Sequence, residues 1–242
     1  MKIFIAGATG IIGRRLLVLL REARHEIAGT TRTPAKGRVL STMGVTPYVV
    51  DVFDATALAD AVERAAPDIV VHQLTDLPNA PGTPGYEASL KANARLRVEG
   101  TRNLMTAAKA MGVPRVIAQS IAFVYAPGDG ARVETDPLDG SETRATTVGG
   151  VVALEDAVTK TSGIDGVVLR YGFLYGPGTW NEARPPQPPA IHVDAAAHAA
   201  LLAVSRGAPG IYNIAEDDGA VSIDKARREL GFDPAFRILA TA

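Results

Sequence analysis

Near its start the chain carries three glycines at a spacing suited to binding phosphate groups. Residues 7–13 read GATGIIG and directly follow a short apolar run. Gly7 permits a tight turn, Gly10 lets the backbone approach a diphosphate, and Gly13 lets the next helix lie close to the preceding strand. The N-terminus of that helix would offer free N–H groups and a positive dipole end. The spacing predicts a dinucleotide site. The alternative is a turn that serves only helix packing.

The segment after the second predicted strand indicates which dinucleotide is bound. Residues 29–36 read GTTRTPAK and contain no carboxylate. An NAD site usually carries an acidic residue here for the ribose 2′-hydroxyl, whereas an arginine suits a 2′-phosphate. Arg32 can pair with that phosphate, Thr31 can hydrogen-bond it, and Lys36 adds charge. We therefore predict NADP, with NAD less favoured. The alternative is that Arg32 is a solvated loop cation.

Two further strand ends carry polar groups that could reach the cofactor. Asp51, followed by Val52, could accept the adenine amino group, although a helix-capping role for Asp51 or Asp54 suits the sequence nearly as well. Gln73 and Thr75 are expected beneath the ribose and nicotinamide, or they are simply polar strand ends. The residues predicted to contact the cofactor are Gly7, Thr9, Gly10, Ile11, Ile12, Gly13, Thr31, Arg32, Lys36, Asp51, Val52, Gln73, Leu74, Thr75 and Ser120.

Short apolar runs that alternate with amphipathic segments must position these residues. Continuous Val/Ile/Ala runs predict strands buried on both faces of a parallel sheet. Strands are predicted at 3–6, 26–31, 46–50, 68–74, 115–119, 166–171 and 210–214. Helices are predicted at 13–24, 54–66, 87–111, 148–161 and 193–206. Right-handed crossovers then give an α/β fold with a doubly wound parallel sheet, Rossmann-like.

Composition excludes several classes of protein. The 242 residues carry 25 Lys and Arg against 26 Asp and Glu, a formal charge of −1, with no basic block, so nucleic acid is not an expected partner. There is no cysteine and only four scattered histidines, so we predict no metal site. No apolar run is long enough for a membrane span or a secretory signal, which predicts a cytoplasmic protein without a membrane partner.

Motifs over nearly the whole chain carry a family resemblance. They include the glycine loop, residues 100–103 (GTRN), residues 169–178 (LRYGFLYGPG) and residues 192–194 (HVD). The sequence resembles the extended short-chain dehydrogenase/reductase superfamily, and within it the NAD-dependent epimerase/dehydratase group. That resemblance implies a nicotinamide dinucleotide and a small-molecule substrate, often a nucleotide sugar, a steroid or another carbonyl compound.

The proton-transfer residues of that superfamily are missing. Its members use a Tyr and a Lys four residues apart, with a Ser or Thr at the preceding strand end, and no Tyr-x-x-x-Lys occurs in this chain. Alignment on residues 154–155 puts Thr147 at the tyrosine position and Val151 at the lysine position. Alignment on residues 124–125 puts Ile121 at the Ser/Thr position. Ser120, Tyr125 and Thr147 are the candidate replacement catalytic residues, and Tyr125 could instead be a packed aromatic.

Three functions remain open at this point. The protein is an NAD(P)-dependent oxidoreductase or epimerase-like enzyme with a non-standard proton donor acting on a small carbonyl or sugar-type substrate. Alternatively it is a catalytically silent NADP-binding sensor, or a lyase or isomerase that retains the cofactor site. Predicted substrate contacts are Asp76, Tyr86, Tyr175 and Trp180, although Asp76 could serve only to form a turn.

Two intervals in the second half of the chain are short for such a family, which indicates either a reduced substrate lobe or mobile segments of a longer parent that this sequence omits. We predict an NAD(P)-binding domain at 1–176 and a small C-terminal substrate lobe at 177–242, interleaved with late elements of the sheet. The helices at 87–111 and 148–161 pair across a dimer in many relatives, so a homodimer is expected. Packing on the protein's own sheet would suit the same apolar residues.

Overall fold

Seven parallel strands form the central sheet of the computed structural model, which describes residues 1–238. The strands of this sheet run in the order β3-β2-β1-β4-β5-β6-β9. They are β1 (Lys2–Ala6), β2 (Glu26–Thr31), β3 (Thr46–Val49), β4 (Ile69–His72), β5 (Arg115–Ile121), β6 (Asp165–Tyr171) and β9 (Gly210–Ile214). A separate parallel pair joins β7 (Phe173–Tyr175) to β8 (Ala190–His192). The predicted doubly wound α/β fold is confirmed.

Eight α-helices cover both faces of the sheet over the described range. They are α1 (Ile11–Glu22), α2 (Pro34–Thr42), α3 (Ala55–Ala65), α4 (Tyr86–Arg95), α5 (Thr101–Ala110), α6 (Ala145–Thr159), α7 (Val193–Ala203) and α8 (Asp224–Leu230). One apolar core lies on the face of α1 and α7, and a second lies on the face of α3, α5 and α6. The carboxyl ends of the strands therefore form an open edge between two helical layers, where ligands of such sheets bind.

The helix predicted at 87–111 is interrupted. Between α4 and α5 the chain makes a π-helical turn at Leu96–Gly100. A Cβ on Gly100 would lie 3.1 Å from Val52 Cγ1, so this turn passes close to the loop after β3. Such single π turns occur often at functional sites. Periodicity alone did not indicate the interruption, because the apolar spacing of α4 and α5 is ordinary.

One helix in the cofactor half lay outside the prediction. Thr33 caps α2 by accepting a hydrogen bond from the Lys36 N–H, and Pro34 occupies its first turn. Thr-Pro is a standard helix start, but the short amphipathic stretch that follows is only weakly patterned. The loop predicted to hold Arg32 and Lys36 is thus partly the N-terminal turn of a helix.

The late elements belong mostly to the main sheet. β9 pairs with β6, and α7 packs on α1. Residues 177–189 contain no helix or strand and separate β7 from β8. The division at residue 176 stays a prediction, and residues 239–242 of the predicted lobe lie outside the described range.

Candidate functional site

The glycine loop brings segments of the backbone very close together. Gly7 has φ +93°, and a Cβ there would lie 2.5 Å from the Gln73 carbonyl oxygen. A Cβ on Gly13 would lie 2.4 Å from the Gly7 carbonyl oxygen. Neither position can accept a side chain without moving backbone atoms, so helix α1 lies as close to β1 and β4 as the sequence predicts. Thr30 Oγ1 accepts a hydrogen bond of 3.1 Å from the Gly7 N–H and supports the turn.

The first turn of α1 is left open to an anion. Gly10 is the N-cap residue, no side chain caps the helix, and no acidic residue lies in the first turn. Thr9 and Ile11 are half-buried on the loop surface, whereas Ile12 is buried in the core. Uncapped N–H groups with a positive helix-dipole end suit a diphosphate. A glycine cradle that a Cβ would fill therefore meets an uncapped helix end, and the two features fit the diphosphate of a dinucleotide.

The end of β2 brings together two residues that were predicted for different roles. The Arg32 side chain is 65% exposed, and its Nη2 lies 3.5 Å from Asp76 Oδ1 in the loop after β4. Thr31 is buried and Lys36 is exposed on α2. An exposed guanidinium with one weak ion pair can turn to a new anion at little cost.

Asp51 and Val52 stand at the turn after β3. Asp51 Oδ1 accepts a hydrogen bond from the Phe53 N–H at 3.0 Å, and Asp54, not Asp51, caps α3 by bonding the Ala57 N–H. Asp51 is exposed and keeps a free carboxylate oxygen over the described contacts. Val52 is buried, and its carbonyl oxygen accepts a hydrogen bond from Asn103 Nδ2.

The end of β4 is rigid and polar. The His72 imidazole is 1% exposed; it accepts a hydrogen bond from the Leu74 N–H and bonds Thr101 Oγ1 at 2.9 Å. Burial lowers the pKa of His72 to about 4, so the ring is neutral at physiological pH.

Gln73 directly follows β4 and is also buried. Its Nε2 donates to the Tyr171 hydroxyl at 3.4 Å, and its Oε1 is buried without a partner among the described residues. Leu74 is half-buried, and its carbonyl oxygen accepts a hydrogen bond from Gln119 Nε2. Thr75 is exposed at the carboxyl edge of the sheet.

Ser120 is part of a buried ion-pair network. Its Oγ donates to Glu155 Oε1 at 2.7 Å, and Arg170 binds the same carboxylate through Nε at 2.8 Å and Nη2 at 2.6 Å. All three side chains are at least nine-tenths buried. The Ser120 hydroxyl thus already donates its hydrogen bond to the buried Glu155 carboxylate.

Tyr125 is fixed by the same arginine. Its hydroxyl donates to Asn213 Oδ1 at 2.6 Å and accepts from Arg170 Nη1 at 2.8 Å. Burial raises the pKa of Tyr125 above the ordinary value for a phenol, although Arg170 opposes this rise. A phenol in these contacts is poorly suited to act as a base.

Helix α6 carries the two positions that the sequence alignment matches to the superfamily's Tyr and Lys. Thr147 is half-buried near its start, and Val151 is fully buried in an apolar cluster with Val124 and Val148. Ile121 packs against that cluster. The aligned positions therefore hold one neutral hydroxyl and two aliphatic side chains.

The predicted substrate residues do not all lie together. Tyr86 begins α4, and Trp180 is 51% exposed in the loop after β7. Tyr175 bonds Glu216 and accepts from Arg237 Nη2, and its ring meets His192 edge-on at 5.1 Å. Of this set, Asp76 contacts a predicted cofactor residue, Arg32.

The sequence reasoning missed two buried charges on helical segments, Glu155 and Arg97. Glu155 served only as an alignment marker, yet it is the buried counter-charge of Arg170. Arg97, in the π-helical turn, is 7% exposed, and burial lowers its pKa to about 10. Helical spacing offers no signal for either, because charged residues at such positions usually face solvent.

Residues 1–238 contain neither a membrane-spanning helix nor a cluster of metal ligands. None of the helices over residues 1–238 has the length and apolar character needed to cross a bilayer. Within the same range, no group of three or more His, Asp or Glu side chains is arranged to hold a metal ion.

The parallel sheet with a glycine loop at its central switch point defines a Rossmann-like fold, whose ligands bind at the carboxyl ends of the strands. The model of the NAD dependent epimerase/dehydratase family matches residues 3–190, and the chain belongs to that family.

Similar proteins have been described in several bacteria. The chain is 37% identical over 246 residues to a 3-diazoavenalumate denitrifying reductase of a Streptomyces species, covering 91% of this chain and 77% of that protein. The UDP-glucose 4-epimerase of Thermotoga maritima, solved with UDP-glucose, superposes with a TM-score of 0.80 at 17% identity, covering 98% and 94% of the two chains. That of Thermus thermophilus, solved with NAD, gives 0.73 at 20%, covering 97% and 85%. At such identities the structural likeness concerns the fold.

Proposed function

We propose that this protein is an NADP-dependent reductase whose substrate needs a hydride but no proton from the enzyme. The observation that carries the proposal is Val151, fully buried among Val124 and Val148 at the position where the superfamily has its lysine. The similarity to a reductase that, by its name, removes nitrogen from a diazo compound supports the same function.

The chemistry explains why a proton relay would be unnecessary. Reducing a ketone creates an alkoxide, so a carbonyl reductase needs an acid whose pKa is tuned near neutrality. An arenediazonium ion instead takes up one hydride at carbon and releases dinitrogen, which gives a neutral arene and consumes no proton. A bound nicotinamide dinucleotide would supply that hydride. A site without an acid would favour the second reaction over the first.

The chain's own residues would then bind and orient the dinucleotide and would exclude water from the site. The N-terminal turn of α1 and the cradle of Gly7, Gly10 and Gly13 would hold the diphosphate. Arg32, with Lys36 beside it, would hold the 2′-phosphate, displacing the weak contact to Asp76. Asp51 would accept the adenine amino group. The unpartnered Gln73 Oε1, together with Leu74 and Thr75, would lie beneath the nicotinamide half.

One observation favours a second candidate. Thr147 is half-buried at the aligned tyrosine position, and a hydroxyl there can donate a hydrogen bond to a substrate oxygen. A small carbonyl or sugar-type substrate, with Thr147 or Tyr125 as the donor and Ser120 behind it, is the alternative enzyme. Its rate would be low, because a neutral threonine cannot relay a proton as a phenol beside a lysine does.

The two candidates are separated by a substrate panel. Purified protein with NADPH would be given benzenediazonium, ketones, aldehydes and UDP-glucose, and cofactor oxidation and gas release would be followed. We expect enzyme-dependent turnover of the diazonium ion and rates at least about a hundredfold lower for the carbonyl compounds, in keeping with the usual contribution of general acid catalysis. Turnover of a ketone without turnover of the diazonium ion would reject the proposal. Tight NADPH binding without any turnover would support the sensor function instead.

We further propose that the protein is a homodimer in the cytoplasm. Val98 of the π-helical turn and Val152 of α6 are 44% and 41% exposed, and both elements lie on one face of the molecule, where α4 packs on α6. Two such helices from each subunit could bury these valines. Light scattering on the eluting protein would give twice the chain mass.

A further inference from the structure

Two phenylalanine rings lie stacked just beyond the ends of β5 and β6. The centroids of Phe123 and Phe173 are 3.8 Å apart, with an angle of 8° between the ring planes. Ile121 and Tyr171 form the last pair of residues between these strands, so each phenylalanine follows that pair by two residues. The rings therefore stand at the carboxyl edge of the sheet, where the reactive end of the dinucleotide is expected.

The stacked rings are not part of the protein core. Both are half-buried, and neither belongs to, nor packs against, any of the three apolar clusters found over residues 1–238. Large aromatic side chains usually contribute to a core, because they bury 150–250 Å² each. A stacked pair that lies outside the core clusters and keeps part of its surface exposed suggests a binding surface.

The backbone around both rings is fixed. The Phe173 N–H donates to the Pro189 carbonyl oxygen at 2.8 Å, and Arg144 Nη2 donates to the Phe123 carbonyl oxygen at 2.7 Å. The preceding residue pair continues the sheet, because the Ala122 N–H donates to the Tyr171 carbonyl oxygen. The rings are therefore positioned before any ligand binds, which lowers the entropy cost of binding.

The ring geometry is suited to a third planar group. Isolated aromatic pairs favour edge-on or offset arrangements, whereas a near-parallel pair leaves an outer face that a further ring can cover. At 3.8 Å there is no room between the two rings, so a ligand would add to an outer face.

We infer that the Phe123–Phe173 pair is a specificity determinant that selects a planar aromatic substrate. The inference rests on the proposed function, since it names the substrate class of the same site. The pair would hold an arene flat at the sheet edge and would disfavour a puckered ring of equal size. This preference would distinguish the site from one that binds a sugar ring.

Binding of two matched acids tests the inference without requiring turnover. Benzoate and cyclohexanecarboxylate share a carboxylate and a six-membered ring, but only benzoate is planar. Calorimetric titration of the protein saturated with NADP⁺ should show benzoate binding roughly three- to tenfold more tightly, the range that stacking contributes beyond buried area. Since cyclohexane is at least as apolar as benzene, area burial alone would predict no such preference.

Substitutions then assign the preference to the ring pair. Phe123→Leu with Phe173→Leu keeps apolar volume but removes both planes, and should bring the two affinities within about twofold, because the stacking contribution is gone. Phe123→Tyr keeps the plane and should retain the preference. Phe236→Leu is the matched control, since it removes a ring from the other near-parallel pair, with His198 at 3.8 Å and 13°.

Equal affinities in the parent protein, binding of neither acid, or an unchanged preference in the double variant would each overturn the inference. The parent measurement stands even if the double variant does not fold. Diazonium turnover without a planar preference would overturn only this inference. A planar preference without turnover would leave it intact while rejecting the proposed reductase.

Discussion

At the scale of single residues, the proposed preference for NADP over NAD depends on Arg32. Its guanidinium is mostly exposed and makes one weak contact, to Asp76, so it is free to bind a phosphate. Arg32→Ala should weaken NADPH binding roughly tenfold or more, the usual value of a charge-assisted hydrogen bond, and should change NADH binding by less than about twofold. Fluorescence titration with both nucleotides measures this difference.

The control for Arg32 lies on α2, the helix that follows it. Arg38→Ala removes an exposed cation of α2 that has no predicted role, and should leave both affinities unchanged. Equal losses for NADPH and NADH in the Arg32→Ala protein would remove the argument for 2′-phosphate recognition.

Also at this scale, Glu155 should dominate the stability of the β5–β6 region. It is buried between Ser120 and Arg170, so Glu155→Gln would leave a buried guanidinium without its counter-charge. We expect the free energy of unfolding to fall by about 3–5 kcal/mol. Urea denaturation measures it.

The matching surface substitution is Glu99→Gln, which breaks the exposed pair with Arg95. It should cost under about 1 kcal/mol. If the two substitutions cost the same, the buried network would not have the importance assigned to it.

At the scale of elements, Gly13 allows the close packing of α1 on which the proposed cofactor site depends. Because an added Cβ would collide with the Gly7 carbonyl oxygen, Gly13→Ala must push α1 away from β1. Overpacking of this kind costs about 1–3 kcal/mol of stability, and the displaced helix end should no longer hold a diphosphate. Calorimetric titration with NADPH should show no saturation at concentrations that fill the parent protein.

Gly149→Ala is the internal comparison. This glycine lies in helix α6, is exposed, and an added Cβ would meet nothing within 4 Å. Alanine there should stabilise the protein by about 1 kcal/mol and leave cofactor binding unchanged. A Gly13→Ala protein that still binds NADPH normally would contradict the assigned role of the loop.

The elements also show what the sequence could predict. All seven strands of the main sheet were predicted to within about two residues, because buried parallel strands are continuous apolar runs. The glycine loop was predicted because its spacing reflects close packing that only glycine allows. The π-helical turn, helix α2 and the burial of Arg97 and Glu155 were not predicted, because they depend on tertiary contacts. The Phe123–Phe173 stack likewise depends on strand register between residues fifty positions apart, which local pattern does not encode.

At the scale of the whole molecule, pH should affect stability through His72. Burial lowers its pKa from the ordinary 6.5 to about 4, so the unfolded chain binds a proton between these values while the folded protein does not. The titration of His72 therefore does not affect stability above pH 6.5. As the pH falls from 6.5 toward 4, the free energy of unfolding decreases, by about 3 kcal/mol in total.

Unfolding free energies between pH 7 and pH 4 test this linkage. His72→Gln removes the titrating group, so its curve should be flatter than that of the parent over this range, whatever its absolute stability. Parallel curves for the two proteins would mean that other groups cause the acid sensitivity.

The central claim is that this molecule delivers hydride without relaying a proton, and isotope transfer tests it most directly. The protein would be given benzenediazonium with NADPH carrying deuterium on one face of C4 at a time, in ordinary water, beside an enzyme-free sample and the Gly13→Ala variant. We predict monodeuterated benzene from one labelled face only, in the parent protein only. Equal transfer from both faces, hydrogen derived from water, or the same yield without enzyme would contradict the account.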